Sequence, residues 1–263
     1  MTLVKMYETF RDAVKAHEPV ALATVIRGAG VGNKLLARPG LDVIGSVGNA
    51  DLDRVVTRDS LAELDAGRTG VRHYGVRGEA NESAVEVFIE SFAPPPQMVI
   101  FGAVDFTAAL ARVGKILGYR VTVCDARKVF ATVRRFPMAD AVEVEWPNVL
   151  LDRIGPSLGP RDAVCVLTHD AKFDVPAIVG ALDTRAGYIG VMGSRKTHDS
   201  RLVRLAEAGV TTDQLQRVMS PIGLDIGGRT PEETAISICA EIIAVRTGRD
   251  TPSLRSSHGP IHR

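Results

Sequence analysis

The chain has no dominant charge. Its 263 residues carry 32 lysines and arginines against 31 aspartates and glutamates, so no long-range field draws it to nucleic acid or to an anionic membrane. Long hydrophobic runs are also missing. No apolar stretch approaches the roughly 18 residues of a membrane span, so no membrane association is expected. Cysteine is scarce: Cys124, Cys165 and Cys239 are an odd set of three with no C-x-x-C pair. They lie in VTVC, in AVCVL and on the apolar side of the last helix, and read as small core residues rather than catalytic or metal-binding ones. Six histidines show no H-x-x-x-H spacing, so no protein-ligated metal is expected. Iron–sulfur cysteine spacing, a flavin motif, a G-x-x-x-x-G-K-[ST] loop and a nucleophile elbow with a serine–histidine–acid series are all lacking. A complete catalytic set is not visible, and no internal repeat stands out. The first residues, MTLVKMYETFRDAVK, place Leu3, Met6, Phe10 and Val14 on one helical face, unlike a signal peptide. A cytoplasmic location is the expectation.

What is present divides at APPPQ, residues 93–97. Three prolines favour a stiff connector and set a domain boundary. The expected plan is an N-terminal domain over 1–92, a linker over 93–97, a Rossmann-like domain over 98–250 and a mobile tail over 251–263. The first part has short apolar runs, VALATVI, VIGSV and AVEVFIES, between glycine-rich turns. It reads as a small β-rich (α+β) unit behind one helix. The second part alternates strands with amphipathic helices, the pattern of an α/β parallel sheet covered on both faces. Phe106, Ala109, Leu110, Val113, Ile116 and Leu117 mark the expected buried face of its first helix.

MVIFGAVDFTAAL reads as strand, glycine turn, helix, and an acid, Asp125, closes the next strand. That is the skeleton of a dinucleotide-binding βαβ unit. The G-x-G-x-x-G/A fingerprint is broken, because Val104 stands at its second glycine and Thr107 at its third small position. A valine obstructs close approach to a pyrophosphate, so NAD(P) binding is expected to be weak or absent. A turn that merely joins strand to helix is the competing reading. Ligands of such sheets sit beyond the strands' carboxyl ends. Candidate binding residues there are Gly102, Asp105, Asp125, Arg127, Thr168, His169, Asp170, Gly193, Ser194, Arg195 and Lys196. Gly193 and Ser194 opening a helix, with Arg195 and Lys196 following, suit the phosphate of a small molecule. His198 and Arg201 extend that basic face.

The last helix is announced by T-P-E-E and ended by a glycine. Thr230 and Glu233 form a capping box, Pro231 suits the first turn, and Gly248 stops the helix behind Arg246. Thr234, Ser237 and Glu241 make a narrow polar stripe on an otherwise apolar, mostly buried helix. The glycine-rich PIGLDIGG loop precedes it. Its acid, Asp225, either serves the site or braces the loop, and bracing is favoured.

Several of these segments, taken in order, resemble the XdhC/CoxI family. The carriers are ATVIRGAG, KLLARPG and GSVG, then PPPQMVIFGA, RVTVCDAR, RFPMAD, VLTHD, YIGVMGSRKTH and PIGLDIGGRTPEE. The resemblance implies an accessory protein, not itself an enzyme, that transiently binds molybdopterin cofactor. It implies help with the cofactor's sulfuration and insertion into an apo-molybdenum hydroxylase such as xanthine dehydrogenase. A cysteine desulfurase is an implied second partner, and a homodimer is left open. The competing readings are an NAD(P)-dependent oxidoreductase and a ligand-free regulatory fold. Two departures stand out. Many relatives read G-S-V-S-G-G-C-V-E where this chain has GSVGNAD, without the cysteine. Many also have a G-A-G-H turn where this chain has Gly102-Ala103-Val104-Asp105.

Overall fold

The computed structural model describes residues 3–80, 82–168 and 170–256. The side chains of Leu3 and of residues 195–199, His169, and the tail beyond 256 lie outside the described residues. The chain divides into two compact units, Met1–Pro94 and Pro95–Arg263.

In the first unit, α1 (Leu3–Lys15) and α2 (Ala50–Ala66) accompany β1 (Val20–Arg27), β2 (Lys34–Ala37), β3 (Ile44–Gly45), β4 (Gly70–Tyr74) and β5 (Val85–Phe92). The strands form one antiparallel sheet in the order β3-β2-β1-β5-β4. Period-two alternation gives the sheet two apolar faces. Ala21, Ala23, Val25, Leu35, Val87 and Ile89 pack with Leu52, Val56 and Leu64 of α2. Val20 and Leu36 pack on the other side with Met6 and Ala13 of α1. A single helix was expected here, so α2 corrects the reading. Its signals are local: Asn49 caps it, Asp51 and Asp53 sit in its first turn, and Gly67 ends it in the left-handed conformation.

The second unit runs β6 (Gln97–Phe101), α3 (Asp105–Ile116), β7 (Arg120–Cys124), β8 (Ala141–Glu143), α4 (Pro147–Ile154), β9 (Ala163–Val166), α5 (Ala171–Leu182), β10 (Tyr188–Val191), α6 (Arg195–Glu207), α7 (Thr212–Leu215), β11 (Val218–Met219) and α8 (Pro231–Thr247). All its strand pairs are parallel, in the order β11-β10-β9-β6-β7-β8. Counted within the unit this is 6-5-4-1-2-3, the dinucleotide-binding order with its switch point between β6 and β9. One face of the sheet packs on α3 and α8, through Met98, Ile100, Val121 and Cys165 against Leu110, Ile238 and Ile242. The other packs on α4, α5 and α6, through Val99, Phe101, Val164 and Val166 against Leu150, Ile178 and Leu205.

The expected buried face of α3 holds in part: Ala109 and Leu110 are buried and Phe106 and Val113 pack against the core, but Thr107, Ala111 and Gly114 complete the inner line and Ile116 is 81% exposed. At 100° per residue Ile116 lies opposite that line. Small residues win the inner face because the sheet is close: a Cβ at Gly114 would meet Met98 Sδ at 2.8 Å.

The caps of α8 are as read, with Thr230 accepting from Glu233 N and Gly248 left-handed. Its polar stripe is not a solvent face. Ser237 is buried and donates to Leu224 O at 2.6 Å. Glu241 Oε2 accepts from Gly223 N at 2.9 Å and from the Tyr188 hydroxyl at 2.5 Å. The stripe is the bed of the PIGLDIGG loop. Ile222 N donates to Val191 O, and the Ile222 side chain fills the space a Cβ at Gly190 would take. Asp225 is exposed and makes no side-chain hydrogen bond or ion pair among the described residues, so it does not brace the loop. Ser237 and Glu241 do.

Candidate functional site

Gly102 follows β6 directly at the switch point with φ 105°. A Cβ there would stand 2.7 Å from Thr168 Cγ2 and 3.0 Å from Thr168 N. Only glycine fits both the backbone angle and the approach of the two strand ends. Beyond Gly102 the turn is closed from within. Thr107 is fully buried, and its hydroxyl donates to Gly102 O and accepts from Val104 N. Ala103 N donates to Asp125 Oδ2 at 2.9 Å. Two N–H groups that would face a pyrophosphate are therefore committed to the protein. Asp105, with a side chain 91% exposed, adds a negative charge at the start of α3, and Arg135 stands 3.6 Å from it.

Asp125 is equally committed. Its Oδ1 accepts from Arg127 N and Nε, both at 2.9 Å. Its Oδ2 accepts from Arg127 Nη2 at 2.7 Å and from Ala103 N. A carboxylate has about four lone-pair sites, and all are filled. Burial pushes its pKa up, but the Arg127 guanidinium and the two backbone N–H groups outweigh burial and hold it below the usual aspartate range. An acid in this place ordinarily receives a ribose hydroxyl; here it has no acceptor to spare.

The Arg127 guanidinium lies 4.6 Å from the Phe130 ring centroid and 5.6 Å from that of Phe173. Phe173 in turn stacks on Trp146, with centroids 4.8 Å apart and planes 23° apart. Four planar groups from behind β7, β8 and β9 thus stand in a row. Trp146 is 46% exposed and Phe130 is 40% exposed. Arg135 donates to Ala103 O at 2.9 Å and Phe130 O at 3.1 Å, tying the row to the glycine turn. Lys128 and Arg134, exposed on the same loop, have no ion-pair partner among the described residues. The RFPMAD segment supports this loop: Phe136 is buried in the core, and Asp140 accepts from Val121 N and Lys115 Nζ, both at 2.7 Å.

Of the expected residues, Gly102, Asp125, Arg127 and Thr168 meet around the switch point. Thr168 donates to the buried Asp174 carboxylate. Asp170 caps α5 through Lys172 N at 3.0 Å. Arg201 corrects the reading of α6: it is buried and pairs with Asp174 at 2.9 Å, and it also donates to Met192 O. It is not part of an exposed basic face. Gly193 and Ser194 lead into α6. The side chains of Arg195 and Lys196, and all of His169, lie outside the described residues. Asp225 is on the loop over β10 and joins none of these contacts. The ring row was not foreseen; its signals are the single tryptophan just before Pro147 and the phenylalanine set among cations in ARKVFATVRRF.

In the first unit, the segment that replaces G-S-V-S-G-G-C-V-E is also self-satisfied. Asn49 Oδ1 accepts from Asp51 N and Leu52 N, both at 3.1 Å, and Asp53 Oδ1 accepts from Val47 N at 2.8 Å. The three cysteines are free and buried. Burial pushes the Cys124 and Cys239 thiols up to about 12 and raises that of Cys165 as well. Among the described residues no group of three or more histidines, cysteines or acids is placed to hold a metal, and no helix is long and apolar enough to cross a membrane.

The second unit is a dinucleotide-type Rossmann domain whose phosphate turn is closed by its own side chains. Residues 98–242 match the XdhC Rossmann domain, and residues 13–75 match the XdhC and CoxI family. The chain belongs to the XdhC and CoxI family. It is 26% identical over 252 residues to YqeB of Escherichia coli (strain K12), covering 90% of this chain and 46% of that one. It is 32% identical over 165 residues to a probable xanthine dehydrogenase subunit of Bacillus subtilis (strain 168), covering 63% and 47%. It is 24% identical over 166 residues to the molybdenum cofactor insertion chaperone PaoD of E. coli (strain K12), covering 63% and 45%. The chain spans about half the length of these curated relatives. A crystal structure described as a xanthine dehydrogenase from Bacillus halodurans shares the fold, with 20% identity and a TM-score of 0.54 over 92% of this chain and 97% of that one.

Proposed function

We propose that this chain is a cofactor-handling accessory protein. It binds molybdopterin cofactor transiently in the Rossmann crevice and assists its insertion into an apo-molybdenum hydroxylase. The observation that carries this reading is the closed turn in a chain of this family. Thr107, Asp125 and Asp105 occupy or oppose the groups that a dinucleotide needs. Strand order favours an NAD(P)-dependent oxidoreductase as the second reading; the saturated Asp125 speaks against it.

The residues present fit the proposed group. Its fused ring and anionic tail are the features available for recognition, and the bound cofactor supplies the client's redox chemistry. Lys128 and Arg134 offer charge to the tail. Gly193 and Ser194, with Arg195 and Lys196 after them, are the proposed phosphate seat at the start of α6. Loss of one charge-assisted contact there costs about 1.5–3 kcal/mol, so Arg195→Ala is expected to weaken binding of a phosphorylated pterin about tenfold or more. The sequence GSVGNAD supplies no thiol, and Asn49 and Asp53 fill the donors around it. Assistance with sulfuration would therefore rest on a partner such as a cysteine desulfurase.

The test is purification of the chain from its own cells, acid oxidation, and fluorescence of the released pterin, with identification of co-purifying proteins. A pterin and a molybdenum hydroxylase in the same fraction support the reading. A pterin-free protein carrying tightly bound NAD(P) overturns it.

A further inference from the structure

In the row of Phe130, Arg127, Phe173 and Trp146, the contacts among the members serve the fold, but the exposed surface of Trp146 and Phe130 does not. A buried aromatic is stabilised by burial. Trp146, the chain's single tryptophan, instead keeps 46% of its surface open. Its position is nevertheless fixed from behind. Phe173 stacks on it at 4.8 Å, Arg127 lies 5.6 Å from the Phe173 ring, and Asp125 holds that guanidinium with two side-chain hydrogen bonds. A rigid exposed ring loses little entropy when a second flat group settles on it. It also stands beyond the carboxyl ends of parallel strands, where the ligands of this architecture lie.

We propose that Trp146 is a stacking platform for a planar fused heterocycle, with Phe173 and Arg127 as the residues that position it. The saturated Asp125 leaves ribose unrecognised, so the ring itself carries recognition. The pterin form of this proposal rests on the function proposed above; a purine offers the same ring chemistry. Lys128 and Arg134, without ion-pair partners among the described residues, suit an anionic substituent on either ring.

The experiment titrates the full chain with pterin-6-carboxylate, following both Trp146 emission and pterin fluorescence. Free N-acetyltryptophanamide controls for inner-filter loss. GMP serves as the purine arm. Pterin is expected to quench Trp146 saturably. Trp146→Ala is expected to weaken binding about tenfold or more, the usual value of one ring stack, and to lower the melting temperature through the lost Phe173 stack while the chain stays folded by circular dichroism. Trp146→Phe is expected to restore most of the affinity, which a merely structural role would not require. Phe173→Leu should lie between. Saturable quenching by GMP but not by pterin, with GMP binding measured by calorimetry weakened in Trp146→Ala, keeps the platform and removes the pterin reading of function. Pterin binding unchanged in Trp146→Ala removes the platform and leaves the function standing. Trp146 emission unmoved by either ring overturns the platform outright.

Discussion

Asp125 and Arg127 close on each other at the carboxyl end of β7, with Arg127 Nη2 2.7 Å from Oδ2 and Nε 2.9 Å from Oδ1. The pair does two things at once. It spends the carboxylate that would recognise a ribose, and it sets the guanidinium against Phe130 and Phe173. Asp125→Asn removes the charge and leaves Arg127 half-exposed beside a neutral amide. A stability loss of about 2 kcal/mol is expected, read by urea unfolding. The folded pKa of Asp125 is depressed, so its contribution is present above the unfolded aspartate value and is lost as pH falls through the lower folded value. The difference between native chain and variant should therefore hold at neutral pH and shrink below about pH 4.

NADH is expected to bind no tighter than about 0.1 mM, some 5.5 kcal/mol. Val104 is only one of the obstacles. Val104→Gly alone should change little, because Ala103 N and Val104 N remain committed to Asp125 and Thr107. Val104→Gly with Asp105→Asn should improve binding measurably by also removing the repulsion at the start of α3. Calorimetry checks both variants; micromolar binding by the native chain would contradict the closed turn.

The PIGLDIGG loop gives a sharper stability test. Gly223 has φ 95°, and a Cβ there would stand 2.5 Å from Ser237 Oγ. Gly223→Ala is expected to cost more than about 1 kcal/mol and to expose the loop to proteolysis. Glu241→Gln should be milder, since an amide oxygen in the place of Oε2 still accepts from both Gly223 N and the Tyr188 hydroxyl. Asp225→Ala should leave the melting temperature unchanged.

The three cysteines are buried thiols with raised pKa values. Native protein should resist a thiol reagent at pH 8 and react fully once unfolded. Replacing all three with alanine should lower stability without weakening pterin binding. Loss of binding from one replacement in a folded protein would make that cysteine functional.

Local chemistry was the legible part. The caps of α8, the strand–turn–helix at Gly102 and the core role of the cysteines are written in neighbouring residues. Missing elements had weak local signals: β4 is an edge strand whose one buried residue is Tyr74, so it shows no alternation. The α3 face is legible in Ala109 and Leu110 but not at its end, where large Ile116 outweighs small Gly114 in the sequence and only the nearness of Met98 decides between them. The inward role of Ser237 and Glu241 depends on the loop that lies on them. Likewise, Trp146, Phe173 and Arg127 meet only because the sheet brings the segments after β7, β8 and β9 to one edge, with β7 and β8 adjacent and β9 across β6.

Transfer of cofactor tests the central claim most directly. Purified chain is loaded with molybdenum cofactor and mixed with an apo-molybdenum hydroxylase, and the client's activity is followed against an equal amount of free cofactor. The loaded chain should activate the client faster and to a higher level than free cofactor, while showing no xanthine or aldehyde oxidation alone. Activation no better than with free cofactor, or substrate oxidation by the chain itself, would contradict the account.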